Sequence, residues 1–309
     1  MIDGVNISVN VPKDSPIKDW HLWETLVNAK TWQRVTDHYI GNFRGLDMKL
    51  TDSKSGGYRF NIAGSLHKYA NAGQHNADRF TFDRLQNSVN SLSYITGISE
   101  NEYELNGLEI GLNIPLNKPP KRILNNVVSF GNKPFEAMNK KRSGLGLECS
   151  LSQYSVKIYD KGKQSKKQGN ILRYEVAINK MQLVGGYDIS TLADLTAPEK
   201  VYPLVALMLN AANRIIWTDT AADLNRMTDR QKKKWLAYSN PKTWQGFNKD
   251  KKKYHLRQWQ NLLSAFGNIP DLHSMILANW NGLFEGYELP EIQERQAEKL
   301  PPFYPLYGR

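Results

Sequence analysis

The sequence has little cysteine, and this scarcity excludes two kinds of site. Cys149 is the single cysteine among 309 residues, so neither a disulfide framework nor a cysteine-based zinc site can form within the chain. Long apolar runs are also missing, since no stretch approaches the roughly 18 residues of a membrane-spanning helix. The opening stretch, residues 1–16, carries neither the basic nor the apolar segment of an export signal. These absences predict a cytoplasmic protein with no membrane partner.

Acidic residues are scarce in one segment, residues 226–257. The whole chain has a net charge of +11, and this segment holds eleven Lys and Arg against two Asp, a net charge of +9. Clustered positive charge suits a polyphosphate partner, although a solvated helix face is the alternative. Aromatic residues interleave with the charges, which favours nucleic acid, while Trp235 and Trp259 stand at helical positions that are also typical of a core. The predicted DNA contacts here are Lys232, Lys233, Lys234, Lys251, Lys252, Lys253 and Arg257.

The remaining composition is that of a globular protein, with 40% hydrophobic and 23% charged residues. Strand and helix patterns alternate over the first 195 residues, and helical patterns alone follow, including one over 289–300 before an extended tail. One further helix is predicted over 15–32, with Ser15 as N-cap and Pro16 in the first turn. The pattern predicts an α+β fold, an antiparallel or mixed sheet with helices on one face (a ferredoxin- or RRM-like palm), followed by an all-helical C-terminal region. We divide the chain into 1–195 and 196–309.

Three of the predicted strands carry polar side chains opposite an apolar face. Because side chains alternate along a strand, "GLEIGLNI" directs Glu109 and its flanking glycines to one side, and "ILRYEVAI" directs Arg173 and Glu175 to one side. In "SVKIYDK", Lys157 and Tyr159 point away from the core, with Lys161 just beyond. Taken singly, each is typical of a solvent-exposed or packed strand residue. If the strands are neighbours, they form an acidic pair beside a phenol, surrounded by cations. Such a pair suits a divalent cation, Mg²⁺ or Mn²⁺, that could polarise a phosphodiester.

The blocks "MID", "GQHNADRFTF", "GLEIGLNI", "SVKIYDKGKQ" and "ILRYEVAINK" occur in an order that resembles the rolling-circle replication initiators. The sequence looks like the filamentous-phage replication endonucleases, and more distantly like the staphylococcal rolling-circle plasmid initiators. The resemblance covers about residues 1–185. It implies that Glu109 and Glu175 bind the catalytic metal, that Tyr159 attacks DNA, and that Lys161 assists.

The resemblance also places His75 near the active site, as a metal ligand or phosphate contact, with a turn-forming His-Asn pair as the alternative. Two departures stand out: Glu109 replaces the usual Asp, and Gln164 stands where the family often has Glu. The His-hydrophobic-His motif of other rolling-circle enzymes is absent, and His67 is expected to be structural.

The function implied is site-specific nicking and rejoining of DNA through a 5′-phosphotyrosyl bond, in a phage or a plasmid. The implied partners are single-stranded or supercoiled origin DNA, with a host helicase or polymerase also possible, and a viral protein would act in the cytoplasm of its host cell. We also predict DNA contacts for Lys157, Arg173 and Asn76. A second tyrosine, Tyr154 or Tyr174, stays open as a participant in termination. The rival functions are a non-enzymatic DNA- or RNA-binding replication or regulatory protein and a metal nuclease that uses water as nucleophile.

Overall fold

A computed structural model describes residues 1–27, 34–54, 56–138, 144–166 and 169–289. Its strands are β1 (Ile2–Val11), β2 (Glu24–Val27), β3 (Arg34–Phe43), β4 (Leu46–Asp52), β5 (Tyr58–Ser65), β6 (Glu104–Pro115), β7 (Val127–Phe130), β8 (Lys133–Pro134), β9 (Glu136–Ala137), β10 (Gly146–Ser150), β11 (Tyr154–Asp160), β12 (Ile171–Ile178) and β13 (Ile215–Trp217). Its α-helices are α1 (Leu66–Ala70), α2 (Phe82–Thr96), α3 (Lys121–Leu124), α4 (Lys161–Ser165), α5 (Pro198–Val201), α6 (Val205–Ala212), α7 (Asp229–Tyr238), α8 (Pro241–Gln245), α9 (Lys249–Phe266) and α10 (Leu272–Asn281).

Within the described ranges, ten strands form one sheet in the order β2-β3-β4-β5-β1-β6-β12-β11-β10-β9. Every pair of neighbours in it is antiparallel. A second, three-stranded sheet has the order β13-β7-β8. The α+β class predicted from the sequence is therefore confirmed, and the predicted neighbours β6, β12 and β11 are adjacent at the centre of the large sheet.

Helices cover the apolar face of the central strands. The apolar residues of β6, β11 and β12, among them Ile110, Leu112, Val156 and Val176, are buried in the main core. Helices α6 and α10 pack against β12 and β6, and the Tyr174 hydroxyl on this face donates to the Met208 carbonyl of α6 at 3.0 Å. Since one face is filled in this way, the polar side chains of the same strands lie on the other.

Helix α2 forms where the hydrophobic spacing predicts it. Phe82, Leu85, Val89 and Leu92 are all buried along one side, which is the helical stripe read from the sequence. Gly97 ends the helix in the left-handed conformation, with φ of 66°, which glycine adopts without steric cost.

The helix predicted over 15–32 is wrong for its described part. A 3₁₀ turn spans Pro16–Asp19, and the chain then extends into β2. Trp20 and Trp23 stack on each other with centroids 6.1 Å apart, and both pack edge-on against Phe60 of β5. Aromatic packing against β5 thus overrides the local helical pattern. Residues 28–32 of this prediction lie outside the described residues.

Over residues 196–289, the part of the C-terminal region that the structure describes, the regular structure is helical except for one strand. Strand β13, which the sequence pattern did not indicate, pairs with β7 through Ile215 and Ile216. Pairing with β7 thus makes the end of an apolar segment with a helical pattern into a strand. The helix predicted over 289–300 falls almost wholly outside the described residues, and so does the tail after it.

The division at residue 195 stays a prediction. Buried residues of 201–217 and 272–284 belong to the same apolar cluster as the sheet, whereas residues 216–266 build a second cluster around Trp235, Trp244 and Trp259 together with Val128. In the described part of the chain, no helix has the length and apolar character needed to cross a membrane.

Candidate active site

A cavity of about 970 Å³ opens on the polar face of β6, β12 and β11. The register pairs Glu175 with Gly111 and with Lys157, and Glu109 with Ala177. Strand alternation then directs Glu109, Glu175, Lys157 and Tyr159 to the cavity, all four of which line it. The central prediction of one shared polar face is confirmed by this register.

The two glutamates form a pair held by Lys157. The Lys157 ammonium lies 3.3 Å from Glu109 Oε2 and 3.3 Å from Glu175 Oε1. Burial, reinforced by the hydrogen bond and charge of Glu175, raises the pKa of Glu109 well above its usual range. Burial opposes ionisation of Glu175 as well, but the hydrogen bond from Glu109 and the charges of Arg173 and Lys157 outweigh it and lower the pKa of that carboxyl. At neutral pH the pair therefore holds one proton between its two carboxyl groups.

The hydroxyl of Tyr159 donates to Glu175 Oε2 at 3.0 Å. Burial and the negative charge of Glu175 raise the pKa of this phenol far above its ordinary value, so the group is neutral in this arrangement. Tyr154 and Tyr174 lie on the opposite, apolar face: Tyr154 packs against Phe130, and Tyr174 bonds to α6. Neither lines the cavity, so Tyr159 is the one phenol of these two strands that faces it.

Arg173 is an internal cation in this structure. The sequence predicts a DNA contact for it, but its side chain is 2% exposed and forms ion pairs with Asp3 and with Glu175. A third donor reaches Asn113 Oδ1 at 3.1 Å. The guanidinium is therefore bonded to three side chains inside the protein, and its contact with DNA stays a prediction.

Asp3 is a site residue that the sequence analysis missed. A register shift between Ile2 and Gly4, where β1 pairs with β6, marks a bulge at this position. The buried carboxylate accepts hydrogen bonds from Arg173, from Ser65 and from Asn76. In the sequence, only the block "MID" pointed to Asp3. The alternation of apolar and polar residues along β1 does not place Asp3 on the polar face that carries Glu109 and Glu175.

Gly111 provides room for Arg173. A Cβ on Gly111 would lie 2.3 Å from Arg173 Nη2, which no side chain could accommodate. The space beside Gly111 is therefore filled by the guanidinium.

Lys161 begins α4, directly after Asp160, whose side chain caps that helix. Its ammonium is buried and donates to Asn76 Oδ1 at 2.5 Å and to Gln164 Oε1 at 2.8 Å. Burial and the nearby charge of Arg173 lower the pKa of Lys161 to about 8. Asn76 is itself buried and also donates to Asp3, so it links Lys161 to the Asp3 carboxylate, and its contact with DNA stays a prediction.

His75 lines the same cavity as the glutamates. Its Nδ1 atom lies 3.2 Å from Asn71 Nδ2 and 3.5 Å from Asp78 Oδ1. His67 is buried, bonds to Asp78 at 2.6 Å and stacks on Phe80, which agrees with a structural role. Across the described ranges, no group of three His, Cys, Asp or Glu is placed to hold a metal ion. His75 therefore does not complete a three-ligand site with Glu109 and Glu175 in this arrangement.

The basic segment 226–257 presents its charges and hides most of its rings. Trp235, Trp244 and Trp259 are buried, whereas Tyr254 is 60% exposed. The rings of Trp235 and Trp259 pack edge to face, with their centroids 4.7 Å apart. The alternative interpretation of Trp235 and Trp259 as core residues is confirmed, and Trp244 is a core residue as well. None of the three rings can therefore stack on bases in this arrangement. Three of the predicted DNA contacts in this segment have partners within the protein: Lys232 lies 3.9 Å from Asp229, Lys234 donates to Gln258, and Lys252 donates to Asn132. The other four are exposed, namely Lys233, Lys251, Lys253 and Arg257.

Three comparisons with known proteins were made. No family model matches the chain, and the comparison with curated proteins finds no match. Among solved structures, the chain is similar to one described as "Structure of Rolling Circle Replication Initiator Protein from Geobacillus stearothermophilus", at 15% sequence identity, covering 85% of this chain and 95% of that one, with a TM-score of 0.39.

Proposed function

We propose that this protein is a rolling-circle replication initiator that nicks and rejoins origin DNA through Tyr159. The observation that carries the proposal is the contact of the Tyr159 hydroxyl with Glu175, inside an open cavity that also holds Glu109, Lys157 and Lys161. A nucleophile, a proton acceptor and two cations thus meet where a DNA strand could enter. The five sequence blocks shared with that family support the same assignment.

In the proposed step, Tyr159 Oη attacks the phosphorus of a phosphodiester, and the bond from phosphorus to the 3′-oxygen breaks. The phenolic proton passes to Glu175 Oε2, which already accepts it in a hydrogen bond. This transfer is needed because the pKa of Tyr159 is raised, so the phenolate does not form beforehand. The 3′-oxygen takes a proton from Lys161, whose pKa of about 8 keeps it largely protonated at neutral pH. The products are a free 3′-OH and a 5′-phosphotyrosyl bond, and attack by a 3′-OH on that bond reverses the step without ATP.

The carboxylate pair fits a divalent cation. Glu109 and Glu175 offer adjacent hard oxygen ligands for such an ion. In its place, Lys157 and the one proton shared by the two carboxyl groups balance the negative charge of the pair. The two oxygens of Glu175 have different neighbours, since Oε1 faces Lys157 and Oε2 faces Tyr159. Glu109 and Glu175 would therefore hold Mg²⁺ or Mn²⁺ on the Lys157 side, leaving Oε2 for the phenol. When bound, the ion would stabilise the charge that develops on the phosphate.

The exposed lysines of α7 and α9 supply general affinity for DNA in this proposal. They lie on helices packed on the second apolar cluster, separate from the three catalytic strands. Their contribution is to phosphates and not to bases, because the tryptophans between them are buried.

The test is incubation with single-stranded DNA of the source replicon and Mn²⁺, followed by a denaturing protein gel. We expect a slower-migrating protein–DNA adduct and a new 3′-OH on the cleaved strand. Cleavage without an adduct would support a nuclease that uses water, and binding without cleavage would support a non-enzymatic DNA-binding protein. Either result would overturn the proposal.

A further inference from the structure

The cavity that holds the two glutamates extends beyond them along the same strands. Glu109 and Glu175 line one part of it, and Gly107, two residues before Glu109 on β6, lines the next part. Through β12, Tyr159 lies level with Asn113 of β6, on the other side of Glu109. Because residues two apart on a strand face the same side and are separated by about 7 Å, a nucleoside attached to a phosphate at the glutamates would reach Gly107.

The floor of the cavity beyond Glu109 has room for a flat ring. Gly107 on β6 pairs with Asn6 on β1, and Ala177 on β12 pairs with Glu109. A Cβ on Gly107 would lie 3.2 Å from the Ile178 carbonyl oxygen and 3.5 Å from Asn6 Cβ. Both of these atoms belong to the strands beside β6 and not to a group above the sheet. A ligand can therefore approach the backbone closely at Gly107.

Two exposed asparagines flank this floor. Asn6 lies on β1 and Asn179 directly follows β12, with β6 between these strands, and both side chains line the cavity. Neighbouring strands are about 4.8 Å apart, so the two backbones lie about 10 Å apart across Gly107. Each amide offers two N–H donors and one carbonyl acceptor, which is the pattern that pairs with the edge of a base. A third asparagine, Asn106, lines the same part of the cavity, but its amide donates to Ser8 Oγ at 2.8 Å.

We propose that Asn6 and Asn179 bind the edge of one unpaired nucleobase, which lies over Gly107 next to the scissile phosphate. The inference rests on the proposed function for the position of that phosphate. Neutral amides suit a base better than a phosphate, because a base edge carries both donors and acceptors whereas a phosphate offers acceptors and a negative charge. The base must be unpaired, since a duplex would not let a single ring enter the cavity. Asn6 and Asn179 would thus contribute to the choice of cleavage site without touching the reacting atoms.

The experiment measures, by fluorescence anisotropy in EDTA, how the full-length protein binds short single-stranded homopolymers of dA, dC, dG and dT and an abasic strand of equal length. Asn6→Ala and Asn179→Ala test the site independently, and Asn10→Ala is the matched control, since Asn10 is exposed on the same strand and face as Asn6 but does not line the cavity. We expect the wild type and Asn10→Ala to prefer the same base. Each cavity variant should bind that homopolymer about 5-fold more weakly, the effect of one hydrogen bond, and bind the abasic strand as the wild type does. Melting temperatures show whether each variant folds.

Three results would overturn the base site: equal affinity of all four homopolymers for the wild type, equal behaviour of the cavity variants and Asn10→Ala, or an equal loss of affinity for the abasic strand. The last result would mean that the amides contact the DNA backbone. Binding in EDTA does not depend on nicking, so the outcome is separable from the proposed function. A protein that forms no adduct but loses its base preference in Asn6→Ala would refute the proposed function and leave the base site standing. An adduct at Tyr159 together with an unchanged base preference in both cavity variants would do the reverse.

Discussion

Lys157 and a divalent cation should compete for the same carboxylate oxygens. The ammonium lies 3.3 Å from an oxygen of each glutamate. The single negative charge that the pair carries at neutral pH then attracts it by about 5 kcal/mol at an effective dielectric constant of about 20, before desolvation is subtracted. Removing one partner of a buried ion pair costs about 3–5 kcal/mol in measured cases. Because the pair can take up a further proton in place of the lysine, we expect the lower end of that range, about 3 kcal/mol, for Lys157→Met at pH 7 without metal.

The same substitution should strengthen metal binding. A cation that no longer has to displace the ammonium gains up to the same ~3 kcal/mol, which is about 100-fold in affinity. The assay is calorimetric titration with Mn²⁺ at pH 7, together with urea unfolding with and without Mn²⁺. Lys163→Met is the matched control, since Lys163 is exposed on α4 and its side chain is remote from the pair. If Lys157→Met and Lys163→Met bind Mn²⁺ equally and unfold at the same urea concentration, Lys157 does not occupy the cation position and the reasoning is refuted.

Three further predictions address affinity, stability and proton transfer. Replacing the three lysines 232–234 with Ala should flatten the slope of log affinity against log salt by up to about 2 to 3 units for duplex DNA, and an unchanged slope in a filter-binding titration would make α7 a solvated helix face. Burial lowers the pKa of His67 from 6.5 to about 4, so between these two values the unfolded chain binds more protons than the folded chain. The free energy of unfolding should therefore fall by about 1.4 kcal/mol per pH unit as the pH drops through that window. In urea unfolding at pH 7, 6 and 5, His67→Gln should lack this contribution to the pH dependence of stability. With the pKa of Lys161 at about 8, single-turnover cleavage at saturating metal should slow as pH rises above about 8, and Lys161→Arg should not show that decline; identical profiles would remove Lys161 as the proton donor.

The geometry of the carboxylate pair follows from sequence because it depends on strand period alone. Glu109 and Glu175 each oppose the apolar face of their own strand, and once β6 and β12 are adjacent, the period of two brings both to one side. Tyr159 and Lys157 follow by the same rule on β11. No long-range information beyond the adjacency of three strands is needed for these four residues.

The contacts of Arg173 and Asp3 could not be read in this way. A charged residue on a polar strand face is ordinarily exposed, and the burial of Arg173 depends on the absence of a Cβ at Gly111 and on a carboxylate 170 positions away in sequence. Asp3 enters the site through a local register shift, which alternation does not encode. Likewise, Trp20 and Trp23 do not form the helix that their local pattern predicts, because both rings pack against Phe60 on a strand distant in sequence.

The central claim is that Tyr159 carries the covalent bond to DNA, and the most direct measurement compares three single variants. Tyr159→Phe, Tyr154→Phe and Tyr174→Phe are incubated with Mn²⁺ and single-stranded origin DNA, and the adduct is quantified on a denaturing gel and located by mass spectrometry of the linked peptide. Loss of the hydrogen bond to charged Glu175 should cost Tyr159→Phe about 1.5–3 kcal/mol of stability, which leaves it folded to test. We predict that Tyr159→Phe forms no adduct while the two variants on the apolar face that remain folded do, with the linked peptide containing Tyr159. An adduct in Tyr159→Phe, or a linkage at any other residue, would contradict the account.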